Sequence, residues 1–219
     1  RQKNLIIIGS GDQAHIIADE VKRKKEFKVI GYIDEFKRKK KKDLNIKRIG
    51  GLKKLADIKK NFFCIIAIGQ GNLRKNVVAK LSYLKIKVKW AKIISKNSII
   101  SPKVKIGEGS VIISGSIINS GTIIGQHCLI NTGSKIDHDN FFDDYSSSGP
   151  SVTTGGNVKI GKYSHLGIGS TLKNNITIEK SVIIGAGSLV IKNCKKNNVY
   201  FGNPVKKIRK LKKNENYLN

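Results

Sequence analysis

An aliphatic residue recurs every six residues between Ile94 and Val190, and this period limits the possible fold more than any other feature of the chain. After Phe142, which continues the series, only Ser148 and Thr154 interrupt it. A helix would repeat its apolar face about every 3.6 residues and a strand every two, so neither explains a period of six. A parallel β-helix does, because each coil of three hexads turns a corner every six residues and stacks about 4.8 Å above the previous coil. The sequence therefore predicts a parallel β-helix over residues 93–192.

A second series of small residues lies two positions before each aliphatic residue. It includes Ser98, Val104, Ser110, Ser116, Thr122, Cys128, Ser134, Val152, Val158, Ser164, Ser170, Val182 and Ser188. We expect both series to point into a narrow triangular prism, one aliphatic and one small side chain from each short strand. Asn140 and Ile176 are the residues that depart from this second series.

The prism pattern keeps its register but changes in residue type between residues 140 and 156. Ile136 and Ile160 are 24 residues, or four hexads, apart, so no loop has been inserted. Aspartates, serines and threonines stand where packing favours aliphatic side chains. Polar residues at positions that normally hold aliphatic side chains are expected at a functional site.

His138 lies just before this break, with Asp137 and Asp139 on either side. The carboxylates could orient the imidazole and raise its basicity. One coil later comes Gly156, whose backbone N–H should lie about one strand spacing away. A base beside a backbone donor is what acyl transfer needs, since one removes a proton and the other stabilises an oxyanion. The histidines without such a neighbourhood are His15, which could still contact a ligand, His127 and His165.

Residues 1–92 predict a small α/β domain that binds a nucleotide. A buried strand ending at Ile8 runs into the turn Gly9–Ala14 and a helix, and a second strand ends at Asp34. This order matches the G-x-G-x-x-G/A fingerprint, in which a diphosphate approaches a glycine turn at a helix N-terminus. A third strand ends at Gly69, and a helix is predicted over Leu52–Lys60. The residues expected to contact the ligand from the turn and the strand ends include Asp12, Gln13, Asp34, Gly69, Gln70 and Arg74.

The chain carries a formal net charge of +28 with basic runs such as Lys37–Lys42, but lysines are spread over every segment and aromatic residues are few. We therefore expect a solvated surface that attracts phosphorylated small molecules, and no nucleic-acid function. Cys64, Cys128 and Cys194 lack metal-ligand spacing, so no metal is predicted. The apolar runs are strand-sized and no signal peptide is seen, which predicts a cytoplasmic protein without membrane insertion.

Three motifs together resemble a known family. They are Asn-Thr-Gly-Ser-Lys-Ile-Asp-His-Asp at 131–139, Gly-Gly-Asn-Val-Lys-Ile-Gly at 155–161 and Gly-Asn-Pro at 202–204. Joined to the nucleotide turn, they are similar to the sugar O/N-acyltransferases of the sialic acid and bacillosamine type. This family includes UDP-4-amino-sugar and GDP-perosamine N-acetyltransferases.

The resemblance implies a left-handed β-helix, a homotrimer with active sites between neighbouring prisms, acetyl-CoA as the donor and a nucleotide-sugar held by residues 1–92. His138 would be the general base and Asp139 the acid that tunes it. The nucleotide contacts would be Ser10, Gly11, Asp34 and Glu35, and the acetyl-CoA groove would include Gly156, Ile168, Ala186 and Asn203. Two family histidines fall on Gln13 and Ser147, which are retained as candidate substrate and cofactor contacts. Residues 193–219 are predicted to form a turn and a basic tail.

We therefore predict an acetyl-CoA-dependent N-acetyltransferase acting on the amine of a nucleotide-linked 4-amino-4,6-dideoxysugar. O-acetylation of a sialic-acid-like sugar by the same scaffold is the alternative. A non-catalytic β-helix scaffold and a nucleotide-binding oxidoreductase are alternatives of other classes. A scaffold function would not account for the polar residues beside His138, and an oxidoreductase function would not account for the β-helix.

Overall fold

The structure is a computed structural model that describes residues 2–35, 44–212, 215 and 217. The basic run Lys37–Lys42 lies outside the described residues. Along the chain, a parallel sheet with helices comes first and a parallel β-helix follows.

The N-terminal sheet has five parallel strands, β1 (Lys3–Ile8), β2 (Phe27–Ile33), β3 (Arg48–Gly50), β4 (Phe63–Ile66) and β5 (Lys89–Trp90). Its helices are α1 (Asp12–Lys24), α2 (Gly71–Tyr83) and a 3₁₀ helix at Leu52–Asp57. The strand order is β3-β2-β1-β4-β5. After β1 the chain forms β2 on one side of β1, and later it forms β4 on the other side of β1. The carboxyl ends of β1 and β4 therefore border the crevice where open α/β sheets bind ligands. The helix predicted over Leu52–Lys60 is shorter than expected, since it ends at Asp57.

The β-helix has three faces, and the strands within each face pair in parallel. Face 1 contains β6 (Ile93–Ile94), β9 (Val111–Ile112), β12 (Leu129–Ile130), β15 (Ser147–Ser148), β18 (His165–Leu166) and β21 (Ile183–Ile184). Face 2 contains β7 (Ile99–Ile100), β10 (Ile117–Ile118), β13 (Lys135–Ile136), β16 (Thr153–Thr154), β19 (Thr171–Leu172) and β22 (Leu189–Val190). Face 3 contains β8 (Lys105–Ile106), β11 (Ile123–Ile124), β14 (Phe141–Phe142), β17 (Lys159–Ile160) and β20 (Thr177–Ile178). We call the corners between faces the 1/2, 2/3 and 3/1 edges.

Residues 18 apart pair throughout the prism, as the period of six predicts. Ile118 pairs with Ile136, and Ile136 pairs in turn with Thr154. The register therefore continues through the polar break. Ser148 and Thr154 remain buried at aliphatic positions, and their hydroxyls are hydrogen-bonded: Ser148 Oγ lies 3.0 Å from Ser134 Oγ, and Thr154 Oγ1 accepts from Asp137 N at 3.3 Å. These bonds offset the cost of burying hydroxyls.

The N-terminal sheet packs directly on face 1. Leu5 and Ile17 share one buried cluster with Val111, Ile113 and Leu129 from the prism. Polar contacts add to this apolar junction, because the buried Glu20 carboxylate accepts hydrogen bonds from the N–H and the hydroxyl of Ser114 at 3.2 and 2.5 Å. The N-terminal sheet and the prism are thus joined through a shared core.

The C-terminal segment, predicted as a turn and a basic tail, contains a hairpin of β23 (Asn198–Gly202) and β24 (Val205–Lys210). Strand β23 pairs in parallel with β21 and so extends face 1. Further on, Arg209 forms an ion pair with Glu215 at 2.5 Å, and the ring of Tyr217 lies 5.4 Å from that of His165. Tyr217 therefore lies against face 1.

Candidate functional site

A cavity of about 530 Å³ opens at the carboxyl ends of β1, β2 and β4. It lies at the crevice where the strand order predicts a ligand site. The predicted ligand contacts that line it are Ser10, Gly11, Asp12, Gln13, Asp34, Glu35 and Gly69. The structure therefore brings most of the predicted substrate contacts together.

The turn before α1 needs glycine at position 9. Gly9 has a φ of 108°, and a Cβ there would lie 2.9 Å from the carbonyl oxygen of Ala67. This tight approach places the N-terminus of α1 at the cavity, where the helix dipole favours an anionic group. Beside the turn, the hydroxyl of Ser10 donates a hydrogen bond to the Asp34 carboxylate. That contact ties the glycine turn to the end of β2.

Four cavity residues that sequence reasoning missed lie on α2, and two of them, Asn76 and Lys80, are polar. Lys80 forms an ion pair with Glu35 at 2.8 Å, and Asn76 lines the same wall. A sequence signal existed, because Leu73, Asn76, Val77 and Lys80 share one helical face at spacings of three and four residues.

Arg74 and Gln70 lie outside this cavity, so the expectation that they reach the ligand at the sheet edge is wrong. Arg74 is buried, and its guanidinium bridges α2 to the prism. Its five N–H groups donate to carbonyl oxygens at distances of 2.5–3.1 Å, those of His127, Ile68, Gly69, Tyr145 and Ser146. Gln70 is also buried, and its Nε2 donates to the Glu215 carbonyl at 3.5 Å. Both side chains hold the region behind the cavity together instead of facing it.

His138 lies on the 2/3 edge with its side chain about half exposed. Its Nδ1 is 2.9 Å from Oδ2 of Asp139, a residue that adopts a positive φ of 54° in the corner turn. The hydrogen bond with Asp139 raises the pKa of His138, and the charge of Asp137 adds to this effect. The Asp137 carboxylate itself accepts hydrogen bonds from the Asn119 side chain and from His138 N, which lower its pKa. The imidazole is therefore exposed, oriented and made more basic.

Gly156 lies directly beside this imidazole. A Cβ at position 156 would come within 2.5 Å of Cε1 and Nε2 of His138, so a side chain there would displace the ring. The next residue, Asn157, donates its N–H to the carbonyl of His138 at 3.0 Å. The neighbourhood predicted from the 18-residue stacking is present.

The predicted acetyl-CoA contacts are divided among several places. Ile168 and Ala186 are exposed and occupy the 1/2 edge. Asn203 lies in the turn between β23 and β24, at a cis bond to Pro204. Gly156 lies on the 2/3 edge, so one chain does not place all of these residues around a single groove.

Ser147 does not reach the surface, which contradicts its expected contact with the cofactor. The residue is 1% exposed, and its Oγ lies 3.0 Å from Nδ1 of His165. Face 1 is covered at this level, since the Tyr217 ring lies against His165 on the outer side. Ser147 therefore belongs to a buried structural pair.

Two further histidines are packing residues in the structure. His127 is sandwiched between Trp90 and Tyr145, with ring centroids 4.6 and 5.2 Å away. Burial lowers the pKa of His127 and of His165 to about 4. Both rings are therefore neutral near pH 7, whereas His138 is exposed and more basic than usual.

No group of three or more His, Cys, Asp or Glu that could hold a metal ion occurs among the described residues. Within the same part of the chain, no helix is long and apolar enough to cross a bilayer.

Comparison with known proteins agrees with this architecture. Residues 4–81 match the PglD N-terminal domain. The acetyltransferase domain of PglB from Neisseria gonorrhoeae FA1090, in complex with acetyl coenzyme A, superposes with a TM-score of 0.86 at 22% identity, over 95% of this chain and 100% of that one. A variant of GDP-perosamine N-acetyltransferase from Caulobacter crescentus, in complex with CoA and GDP-perosamine, gives a TM-score of 0.87 at 26% identity, over 94% and 96%. The predicted α/β domain followed by a left-handed β-helix is confirmed.

Proposed function

We propose that the protein is an N-acetyltransferase that transfers the acetyl group of acetyl-CoA to the amine of a nucleotide-linked 4-amino-4,6-dideoxysugar. The observation that carries this proposal is the exposed His138–Asp139 pair next to Gly156, on a prism of the acetyltransferase fold. The GDP-perosamine N-acetyltransferase, whose fold this chain shares, was crystallised with CoA and a nucleotide-linked sugar. That likeness supports the choice of donor and acceptor.

The geometry of His138 suits a general base. With Asp139 holding a proton on Nδ1, Nε2 is left as the acceptor on the side of Gly156. An amino sugar arrives largely as an ammonium ion, which cannot attack a carbonyl until it has lost a proton. A positioned imidazole that removes this proton contributes about 10²–10⁴-fold to such a reaction.

The transfer then proceeds by direct attack on the thioester. His138 passes the first proton of the ammonium ion to solvent, which leaves a neutral amine. The sugar nitrogen then bonds to the carbonyl carbon as its second proton passes to Nε2 of His138, and the N–H of Gly156 donates to the oxyanion that develops. Collapse of the tetrahedral intermediate breaks the C–S bond. The proton held by His138 goes to the departing sulfur, so the products are the amide and free CoA.

The cavity at the sheet edge is the proposed site of the nucleotide. The N-terminus of α1 favours the diphosphate, and the Asp34 and Glu35 carboxylates can accept hydrogen bonds from ribose hydroxyls or base N–H groups. Lys80 adds a cation beside Glu35. The shared core of the sheet and face 1 keeps this cavity at a fixed distance from the prism edges.

A homotrimer would complete the site. Outward-facing apolar residues remain exposed on faces 2 and 3 of one chain, with Ile99 at 68% and Phe141 at 40%. Packing of these faces between neighbouring copies would bury them. It would also bring the 2/3 edge with His138 near the 1/2 edge of another copy, where Ile168 and Ala186 are exposed.

An acceptor screen tests the proposal. UDP-, GDP- and dTDP-linked 4-amino-4,6-dideoxysugars would be offered with acetyl-CoA, and free nonulosonic acids would be offered in parallel. We expect release of CoA with at least one nucleotide-linked amino sugar. Turnover with the free acids alone would establish the O-acetyltransferase, and binding of NAD without binding of acetyl-CoA would favour the oxidoreductase.

A further inference from the structure

Five of the small inward residues of the prism form the same type of hydrogen bond. Their hydroxyls donate to the backbone carbonyl 15 residues further along the chain, in the corner turn of the next coil. The pairs are Ser110 with Gly125, Ser116 with Asn131, Thr122 with Asp137, Ser134 with Gly149 and Ser164 with Glu179, at 2.7–3.3 Å. Each hydroxyl has one proton, so each can hold one carbonyl in this way.

Asn140 occupies the same position, but its amide has two N–H protons, which are shared among three carbonyls. The residue is 1% exposed, and its Nδ2 donates to the carbonyl of Gly155 at 2.9 Å, which is the bond 15 residues onward. The same group also reaches the carbonyls of Asp137 at 2.8 Å and His138 at 3.1 Å. Three carbonyl oxygens around one end of an amide require N–H donors, so the orientation of this side chain is fixed.

The carbonyls that Asn140 holds belong to the two groups on which the proposed chemistry depends. One is the carbonyl of His138 itself. Another, that of Gly155, lies in the same peptide unit as the N–H of Gly156. In a planar trans peptide the C=O and N–H point in opposite directions. Because the Gly155 carbonyl is drawn inward to Asn140, the Gly156 N–H is turned to the outer side of the turn.

We infer that Asn140 is a positioning residue that fixes both the base and the oxyanion donor from inside the prism. This inference rests on the proposed roles of His138 and Gly156. A serine or threonine at position 140 would keep the bond to the next coil and would lose the bonds to the two carbonyls of its own turn. The bonds that only Asn140 makes therefore act on the 2/3 edge, where His138 and Gly156 lie, and are not needed to stack one coil on the next.

Asn140→Thr tests the inference, because Thr122 occupies the equivalent position one coil earlier and shows that threonine suits this site. We expect kcat to fall about 10-fold, with KM for both substrates within about twofold, since small misplacement of reacting groups lowers the rate more than binding. The pKa of His138, followed by NMR on histidine-labelled protein, should move down toward its ordinary value as the contact with Asp139 loosens. Ser164→Ala, which removes a buried hydroxyl from the 3/1 edge, is the matched control and should change neither kcat nor this pKa.

Wild-type kcat together with an unchanged His138 titration in Asn140→Thr would overturn the inference. If this variant does not fold, the smaller Asn140→Ser gives the same two readouts. His138→Ala, assayed in parallel, distinguishes failure of the proposed base from failure of the positioning role. An active His138→Ala enzyme would refute the proposed base, whereas an inactive one beside a fully active Asn140→Thr enzyme would refute only the positioning role.

Discussion

His138 and His165 lie on the same prism in opposite environments. His138 is half exposed on the 2/3 edge, where a carboxylate raises its pKa. His165 projects from the middle of face 1, where burial lowers its pKa to about 4. The same side chain is thus suited to proton transfer at one place and to packing at the other. The difference arises from what covers each surface, since face 1 is covered at His165 by Tyr217 and the 2/3 edge is exposed at His138.

The covered face can be distinguished by its outward residues. On face 1 these are Ile93, Val111, Leu129, Ser147, His165 and Ile183, all buried. Faces 2 and 3 carry three lysines at the same position of the hexad, Lys135 on face 2 and Lys105 and Lys159 on face 3, all exposed. A face without charged residues is expected to pack against another part of the protein.

The largest effect is expected from removing the buried cation behind the covered face. Arg74→Met would remove the guanidinium donors from five carbonyl oxygens, so the free energy of unfolding should fall by about 3–5 kcal/mol. Lys75→Met, an exposed neighbour on α2, should stay within about 0.5 kcal/mol of wild type. Chemical denaturation of both variants measures the difference. Equal stabilities would show that Arg74 does not join α2 to the prism.

Removing the covered histidine should affect stability more than catalysis. His165→Ala would leave a gap between Ser147 and Tyr217 and lower the free energy of unfolding by about 1–3 kcal/mol. Below the melting transition, kcat should remain within about twofold of wild type. A large loss of kcat in folded His165→Ala would remove the contrast between the two histidines.

The pH dependence of stability should follow the same residue. The folded-state pKa of His165 is about 4, below its ordinary value of 6.5, so the unfolded chain binds the proton more readily. The contribution of His165 to the free energy of unfolding is therefore complete above about pH 6.5 and is lost as the pH falls toward 4. His127 adds a similar dependence. Melting temperatures measured across this range should decline less steeply in His165→Ala than in wild type.

A smaller change is expected at the open edge from Asp139→Asn. The amide can still contact Nδ1 of His138 but carries no charge, so it should lower the pKa of the imidazole and weaken its tautomer preference. We expect kcat to lie between those of wild type and His138→Ala, at about one-tenth of wild type. Steady-state kinetics on the three proteins gives the order. An Asp139→Asn enzyme less active than His138→Ala would assign the larger role to the carboxylate.

The fold was predictable because the period of six is a local property repeated many times. Residues such as Ile118 and Ile136 fall where stacking at 18 residues requires, and Gly156 lies beside His138 for the same reason. The glycine turn was equally predictable, since Gly9 and Asp34 follow the ends of two strands that pair in parallel. Both predictions depend on short-range sequence order.

The errors concern contacts between distant segments. Arg74 was expected at the ligand because it follows a strand end, but the carbonyls that bind it come mainly from Tyr145, Ser146 and His127, more than 50 residues away. Ser147 was assigned from the family resemblance, and the burial of face 1 beneath Tyr217 could not be inferred from that resemblance. The three hydrogen bonds of Asn140 could likewise not be predicted, although Asn140 departs from the series of small residues in the sequence.

The most direct test of the account is kcat of His138→Ala between about pH 6 and 9. We expect a fall of about 10²-fold or more with little change in KM for acetyl-CoA, the pattern of an interaction made in the transition state. Wild-type activity should decline toward low pH as His138 becomes protonated, and the variant should lack this dependence. Its melting temperature should stay close to that of wild type because the side chain is exposed. Wild-type kcat across this range in folded His138→Ala protein would contradict the assignment of His138 as the base.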